Sequence, residues 1–355
     1  MKIDKILGKN PYGLKKNHKY EFFCNKINEL TKHHRQKCIE YKKIIDFFGY
    51  SNKKKYLLTE LPFLPVQIFK EIELMSTNKN KIIKVLRSSG TSTGNTSKIF
   101  LDKKNSYEQV KTLKEIVQYH IGINRLPMMI IDKKSSIINS NHFDAKKAAF
   151  FGFSIFGKDF FYLIKENGKI DYDGLNKFLQ KSNLGFLIFG FTFPVYDILF
   201  NKLDVNKLNF NFNKGILIHG GGWKKMEKFK VSNKKFKFDL KKKLKLKKSF
   251  NYYGLVEQTG SIFLECDCGY FISSNFSEVL IRDEKLQICE KSKKGFVQLI
   301  SILPSSYPGH NILTQDIGEI VDSKFCKCKL NGTRFLIHGR AKQAEVRGCS
   351  DTLNG

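Results

Sequence analysis

The chain has 355 residues, with 63 Lys and Arg against 33 Asp and Glu, for a net charge of +30. With 41% apolar residues it can bury a large core, which excludes a disordered tail. No early apolar stretch reaches the ~20 residues needed to cross a bilayer, and Met1-Lys2-Ile3-Asp4-Lys5 has no signal-peptide character. A cytoplasmic protein without a transmembrane segment is therefore expected. The basic balance raises nucleic acid as a partner. Lys greatly outnumbers Arg, however, and Arg is the residue that reads base edges. A phosphate-bearing substrate or an acidic protein partner fits better, and no nucleic acid is expected.

Residues 1–60 read as helical and polar, with Phe22, Ile27, Leu30, Ile39, Ile44 and Phe47 at helix-like spacing. Leu61-Pro62-Phe63-Leu64-Pro65 is expected to be extended, since each proline disfavours helix in the residue before it. Next comes the apolar run 82–86, then Ser88 to Lys98, then the strand-like Ile99-Phe100-Leu101. A helix over 107–119 and a buried strand over 128–131, ending at Asp132, follow. Strands are predicted over 160–164, 185–190 and 215–219, and helices over 172–181 and 194–203. Alternation of helices with fully apolar strands indicates an α/β sheet buried on both faces. After residue 250 the strands become shorter and partly alternating, over 278–281, 295–300, 317–321 and 334–337, as in a mostly antiparallel β lobe. The expected organisation is an N-terminal helical part (1–80), an α/β core with a phosphate loop (81–250), a β lobe (251–340) and a tail (341–355).

The segment Ser88-Ser89-Gly90-Thr91-Ser92-Thr93-Gly94-Asn95-Thr96-Ser97-Lys98 packs seven hydroxyls and two glycines between two strands. Glycine lets successive backbone N–H groups turn toward an anion, the hydroxyls add neutral donors, and Lys98 adds a charge. The chemistry suits a polyphosphate. It is not a Walker A loop, because the glycines are too close and no Lys-Ser/Thr follows the second. A solvated turn is the plainer reading. Further polar clusters fall just after apolar strands, where ligands bind in open α/β sheets. His219-Gly220-Gly221-Gly222-Trp223-Lys224 offers glycines for close approach by a flat ligand. Asn251-Tyr252-Tyr253-Gly254-Leu255-Val256-Glu257 offers an aromatic face and a carboxylate able to hold Mg²⁺ against phosphates. Asp316 is a carboxylate suited to ribose hydroxyls, and Gly339-Arg340 ends the lobe.

The order of these segments resembles that of the adenylate-forming enzymes, the superfamily of acyl-CoA synthetases and luciferases. Within it, Leu61 to Lys70, Gly190-Phe191-Thr192, His219 to Lys224 and Gly339-Arg340 through Arg347-Gly348-Cys349-Ser350 are similar to acyl-protein synthetases of the LuxE type. The resemblance implies the α/β N-terminal domain of that superfamily, with mostly buried sheets flanked by helices and a smaller C-terminal β lobe. It implies ATP-dependent activation of a carboxylic acid, of fatty type, as acyl-AMP, and transfer to a cysteine thiol. It also assigns roles. Ser88, Ser89, Gly90, Thr91, Thr93, Gly94 and Lys98 would hold phosphates, and Glu257 would help hold Mg²⁺. Gly220, Gly221, Gly222, Tyr253 and Gly254 would surround adenine, Asp316 would hold the ribose, and Arg340 would lie near the phosphate–ribose junction. Gly190, Phe191 and Thr192 would border the acyl pocket, with Phe151, Phe153, Phe189 and Phe193 as candidate walls or plain core. Val256 stands where threonine is usual, and Thr259 is the nearest substitute hydroxyl. Fifteen residues follow Arg340, so the superfamily's C-terminal lysine domain is expected to be absent or cut short. Cys349 is the matching acyl acceptor, with Arg347 placed to favour its thiolate.

Eight cysteines in a chain without a secretory signal argue against a disulfide framework. Cys266, Cys268, Cys326 and Cys328 form two C-x-C pairs in the β lobe and suggest a structural Zn²⁺ site, although the spacing is tighter than usual. The Lys-rich stretch 224–248 reads as a solvated helix or edge, or as a docking surface for an acidic acyl-carrier protein, with an acyl-reductase as another candidate partner. The competing assignments are an acyl- or aryl-CoA ligase, a carrier-protein ligase and, in a different class, a basic nucleic-acid-binding protein.

Overall fold

Five strands, the first four rich in large apolar side chains, form a parallel sheet: Leu126–Lys133, Gly157–Ile164, Phe186–Phe191, Gly215–Gly220 and Lys248–Tyr253. In the computed structural model, which describes residues 6–88, 96–138 and 145–341, they lie in the spatial order 157–164, 126–133, 186–191, 215–220, 248–253. The two central strands 186–191 and 215–220 are buried along their whole length, as expected of strands covered on both faces. On one face Ile188 and Leu217 pack with Leu175, Phe178, Leu240 and Leu244. On the other, Phe153 packs on Phe189 (ring centroids 5.1 Å apart) and on Tyr252 (4.7 Å).

Helix ends here are set by local chemistry. Helix Tyr172–Lys181 begins where the Asp171 side chain accepts from Gly174 N–H, a typical N-cap bond. Helix Asn233–Leu244 starts at Ser232, whose hydroxyl accepts from Lys235 N–H, and ends at Lys245 in the left-handed region (φ 56°). The segment expected to be a single helix over 194–203 differs. A short helix Thr192–Val195 runs into a wider π-helix Tyr196–Lys202, closed by Leu203 N–H donating to Ile198 C=O at 2.8 Å.

Among the described residues, 121–253 form one compact unit, and 6–120 with 254–341 form another. The second unit is built on an antiparallel meander of Ser277–Arg282, Gly295–Ser301, Asn311–Val321 and Arg334–Arg340, extended by Phe271–Ile272 and Phe263–Glu265. Leu64–Pro65 adds in parallel to Ile312 and Leu313, so the proline-flanked segment is extended as its sequence implies.

Helices Lys16–Lys37 and Ile39–Phe47, and helix Lys103–Ile121 up to His120, belong to this same unit. The N-terminal region is thus helical only in part, with Cys38 (φ −125°, ψ 109°) separating its first two helices. Polar side chains stitch these elements to the meander. Lys19 Nζ pairs with Glu278 at 3.0 Å, Arg282 Nη2 donates to Thr59 C=O at 2.7 Å, and Asn105 Nδ2 donates to Leu303 C=O at 2.8 Å. Among the described residues no helix is long and apolar enough to cross a membrane.

Candidate functional site

The expected phosphate loop connects the two strands of an antiparallel hairpin, Ile82–Arg87 and Lys98–Asp102. Its base is closed by Ser88 N–H donating to Ser97 C=O at 3.2 Å and Ser97 N–H donating to the Ser88 hydroxyl at 2.9 Å. Lys98 sits opposite Arg87 and pairs with Glu73 at 2.7 Å in a solvent-accessible setting. Ser89, Gly90, Thr91, Thr93 and Gly94 lie outside the described residues, as does Cys349.

Glu257 lies in the same unit, on the 3₁₀ turn Val256–Gln258, and is only 5% exposed. The turn is held firmly. Tyr307 Oη donates to Glu257 C=O at 2.9 Å, and Gln258 Nε2 donates to Leu299 C=O at 3.0 Å and Gly309 C=O at 2.8 Å. Gly309 is needed there, since a Cβ would come 2.6 Å from the Glu257 carbonyl oxygen. Burial pushes the Glu257 carboxyl above its ordinary value, while the Ser97 hydroxyl, Lys70 and Arg340 act in the opposite direction. The Thr259 hydroxyl donates to Gln109 Oε1 at 2.6 Å, which gives it a structural partner. Asp316 and Arg340 face each other across adjacent strands, with Oδ1 and Nε 3.7 Å apart. The base of the 88–98 segment, Glu257, Arg340 and Asp316 are therefore grouped within one unit. At Gly254, where this unit's second stretch begins, a Cβ would stand 3.2 Å from the Ile262 side chain.

The 121–253 unit carries the other candidates. Its strand order, read as 2-1-3-4-5 in chain sequence, reverses between 126–133 and 186–191. Open α/β sheets bind ligands at the carboxyl ends of strands at such a reversal. A small cleft lies there, lined by Ile131, Asp132, Lys146, Phe150, Gly190 and Phe191. Asp132 and the buried Lys146 pair at 2.6 Å, and the Ser136 hydroxyl donates to Asp132 Oδ1 at 2.6 Å. A buried pair of this kind is held by its geometry and its extra hydrogen bond. Gly190 is small because a Cβ would meet Val195 at 2.7 Å and Ile131 at 2.9 Å. The Thr192 hydroxyl donates to Gly220 C=O at 3.0 Å, so at its 3.0 Å contact with His219 Nδ1 the ring nitrogen is the donor. Burial, and after it Lys237, pushes His219 down to about 3, which keeps the ring neutral.

The three glycines of 220–222 have separate causes. A Cβ at Gly220 would lie 2.5 Å from the Tyr252 ring, whereas Gly221 (φ 81°) and Gly222 (φ 65°) are left-handed. Tyr253 ends the 248–253 strand and is partly buried. Of the candidate walls, Phe153 and Phe189 are core, Phe193 packs on Trp223 (6.2 Å), and Phe151 is exposed. The Asp132–Lys146 pair was missed in sequence. Asp132 at a strand end was the one visible signal, and nothing in Ala145-Lys146-Lys147-Ala148 marks which lysine turns inward.

Of the four candidate metal cysteines, Cys266, Cys326 and Cys328 have sulfurs within 4.8 Å of one another. Cys268 is exposed and is not among them.

The family model for acyl-protein synthetase, LuxE, matches residues 2–355. The chain belongs to the LuxE acyl-protein synthetase family. No curated protein matches it. Among solved structures, this LuxE-family chain is similar to an open conformation of 2-hydroxyisobutyryl-CoA ligase in complex with 2-HIB-AMP and CoA. The TM-score is 0.72 at 10% identity, covering 96% of this chain and 79% of that one. The same ligase in its thioesterification state, again with 2-HIB-AMP and CoA, gives a TM-score of 0.68 at 10% identity, covering 93% and 70%. At such identity the likeness is one of fold. The LuxE-family chain thus has the α/β fold of adenylate-forming ligases and is an enzyme of that superfamily.

Proposed function

We propose that this enzyme uses ATP to activate a carboxylic acid, of fatty type, as acyl-AMP and passes the acyl group to a cysteine thiol, with Cys349 as acceptor. The observation that carries the reading is the grouping of Glu257, Arg340 and Asp316 with the base of the Ser88–Lys98 hairpin, inside a chain that matches its family from residue 2 to residue 355.

A carboxylate is a poor electrophile. Its oxygen attacks the α-phosphorus of ATP, the bond to the β-phosphate oxygen breaks, and pyrophosphate leaves. A thiolate then attacks the acyl carbonyl and AMP departs. Aligning two anions and neutralising the charge that develops in line is the main demand. In this reading Ser88 to Lys98 bind the β- and γ-phosphates, Tyr253 and Gly220–Gly222 flank adenine, Asp316 holds the ribose and Arg340 the adjoining phosphate. Gly190, Phe191 and Thr192 border the acid. A buried carboxyl raised by burial fits a bound cation, so Glu257 would hold Mg²⁺, whose charge offsets that of the phosphates.

Pyrophosphate release across a panel of carboxylic acids, followed by intact-protein mass spectrometry, tests both steps. Release that depends on a carboxylic acid, with a mass increment lost in Cys349→Ala, supports the proposal. Acid-independent ATP turnover, or acylation persisting in Cys349→Ala, overturns the corresponding step. Glu257→Gln separates chemistry from folding. Its pyrophosphate release should drop by ~10²–10³-fold, the scale for losing one preorganised electrostatic group. A carboxyl raised in the fold contributes stability below its unfolded value that is lost as pH rises through the folded one. Glutamine removes that loss, so the variant should melt at or above the parent at neutral pH.

A second acceptor is favoured by one finding: two of the similar solved structures are of a CoA ligase bound to CoA. Turnover accelerated by CoA or a carrier-protein thiol, with no protein acylation, would select it.

A further inference from the structure

The acyl-activation chemistry does not use the cysteine cluster of the 6–120/254–341 unit. Cys266 Sγ lies 3.6 Å from Cys326 Sγ, and Cys326 Sγ lies 3.1 Å from Cys328 Sγ. Tetrahedral zinc with bonds of ~2.3 Å to sulfur has sulfur–sulfur edges of about 3.8 Å. Three sulfurs, all within 4.8 Å of one another, thus already approximate one face of that tetrahedron.

The sulfurs come from two turns far apart in sequence. Cys266 follows the 263–265 strand in a turn closed by Gly269 N–H donating to Cys266 C=O and Cys266 N–H donating to Tyr270 C=O, both at 2.9 Å. Gly269 takes the left-handed conformation the turn requires (φ 84°). Cys326 and Cys328 follow the turn Ser323–Phe325. Backbone N–H groups of Tyr270 and Cys268 are directed to the Cys266 sulfur, and that of Leu330 to the Cys328 sulfur. Donors of this kind stabilise metal-bound thiolates from the second layer. Arg334 Nη2 lies 3.5 Å from Cys328 Sγ and is itself fixed by the Leu330 carbonyl at 2.7 Å, which offsets the charge of a multi-thiolate centre. Cys268 is exposed in the same turn as Cys266, where it can close the fourth position.

We propose that Cys266, Cys268, Cys326 and Cys328 bind one structural Zn²⁺ that ties the 266–270 turn to the segment entering the 334–340 strand. Closed four-thiolate coordination leaves no position for substrate, so the metal's role is to pin this edge of the sheet and not to take part in acyl transfer.

The test uses the full chain purified without chelator. Elemental analysis should return about one zinc per chain, and cobalt exchanged into the site should give the intense ligand-field and sulfur charge-transfer bands of tetrahedral thiolate coordination. Cys326→Ser should lose both. Should that buried variant fold poorly, mass-mapped alkylation of the wild-type protein provides a second readout. Cys268 should resist alkylation until a chelator is added, and the chelated protein should melt lower. Zinc well below one equivalent, together with Cys268 labelling equally fast with and without chelator, overturns the proposal, as does full zinc retention in Cys326→Ser. These readouts need no acyl substrate, so they stand or fall apart from the acyl-activation reading.

Discussion

The two compact units solve the burial problem differently. In 121–253 the sheet is filled mainly by contiguous apolar strands, and its buried polar groups come as isolated pairs: Thr192 with His219, Asp132 with Lys146, Tyr196 with Asp239. In 6–120 with 254–341 the core is laced with polar side chains that join distant stretches of chain. Asn105 binds the 303–306 segment, Asn311 Nδ2 donates to Pro62 C=O at 3.1 Å, and His34 stacks on His310 with centroids 4.8 Å apart. The difference teaches where specificity comes from in each. Apolar filling stabilises the parallel sheet with little directional demand, whereas the other unit depends on bonds that exist only when remote segments meet in register.

The largest expected effect tests the apolar side. Leu217 is fully buried in the centre of the parallel sheet, and Leu217→Ala should cost about 2–5 kcal/mol, read as a drop in denaturant midpoint. The counterpart in the other unit is Asn105→Ala. Its side chain donates to Leu303 C=O and accepts from Ser305 N–H, Ser306 N–H and the Ser306 hydroxyl. Loss should cost roughly 1–3 kcal/mol, the scale for a buried polar group left unpaired. If Asn105→Ala proved neutral, the contrast between the units would be cosmetic.

The same contrast explains what could be read in the sequence. Strands over 128–131, 160–164, 185–190 and 215–219 were visible because apolar runs report their own burial, and helix 172–181 because its apolar period is local. The 248–253 strand was not, since Lys248-Ser249-Phe250-Asn251 has too little apolar character to separate it from the lysine run before it. The meander strands were legible by alternation. The attachment of residues 16–47 and 103–121 to them was not, because it rests on Lys19, His34 and Asn105, and polar residues carry no periodic mark of their partners. At the candidate site, glycines and acids showed in sequence as motifs. Which glycine serves packing, as Gly220 does against Tyr252, required coordinates.

Acid pH sharpens the comparison at the next level. Burial pushes His310 down to about 3, and burial, with His310 and His33 beside it, lowers His34 well below the ordinary value. A histidine lowered in the fold adds stability that is fully present above its unfolded value, near 6.5, and is lost as pH falls toward the folded one. Each group should therefore withdraw up to ~1.4 kcal/mol per pH unit below 6.5. The His34–His310 pair places two such groups in one unit, against His219 in the other. Melting curves from pH 7 to 4.5 should show a shallower decline in His310→Gln than in the parent. Parallel curves would mean that the stacked pair already takes up a proton in the folded state.

The smallest effect belongs to Lys98. Its bond to Glu73 is a surface ion pair between two solvent-accessible side chains, and such pairs contribute about 0–1 kcal/mol. Lys98→Ala should accordingly melt close to the parent and lose little midpoint in denaturant. A lysine held so weakly is free to exchange Glu73 for a phosphate when one arrives. The variant's pyrophosphate release should then fall at subsaturating ATP and recover at high ATP, raising the apparent KM more than it lowers kcat. A stability loss as large as that of Asn105→Ala, with KM unchanged, would make Lys98 a structural residue of the hairpin and leave phosphate binding to the hydroxyls and backbone of the loop.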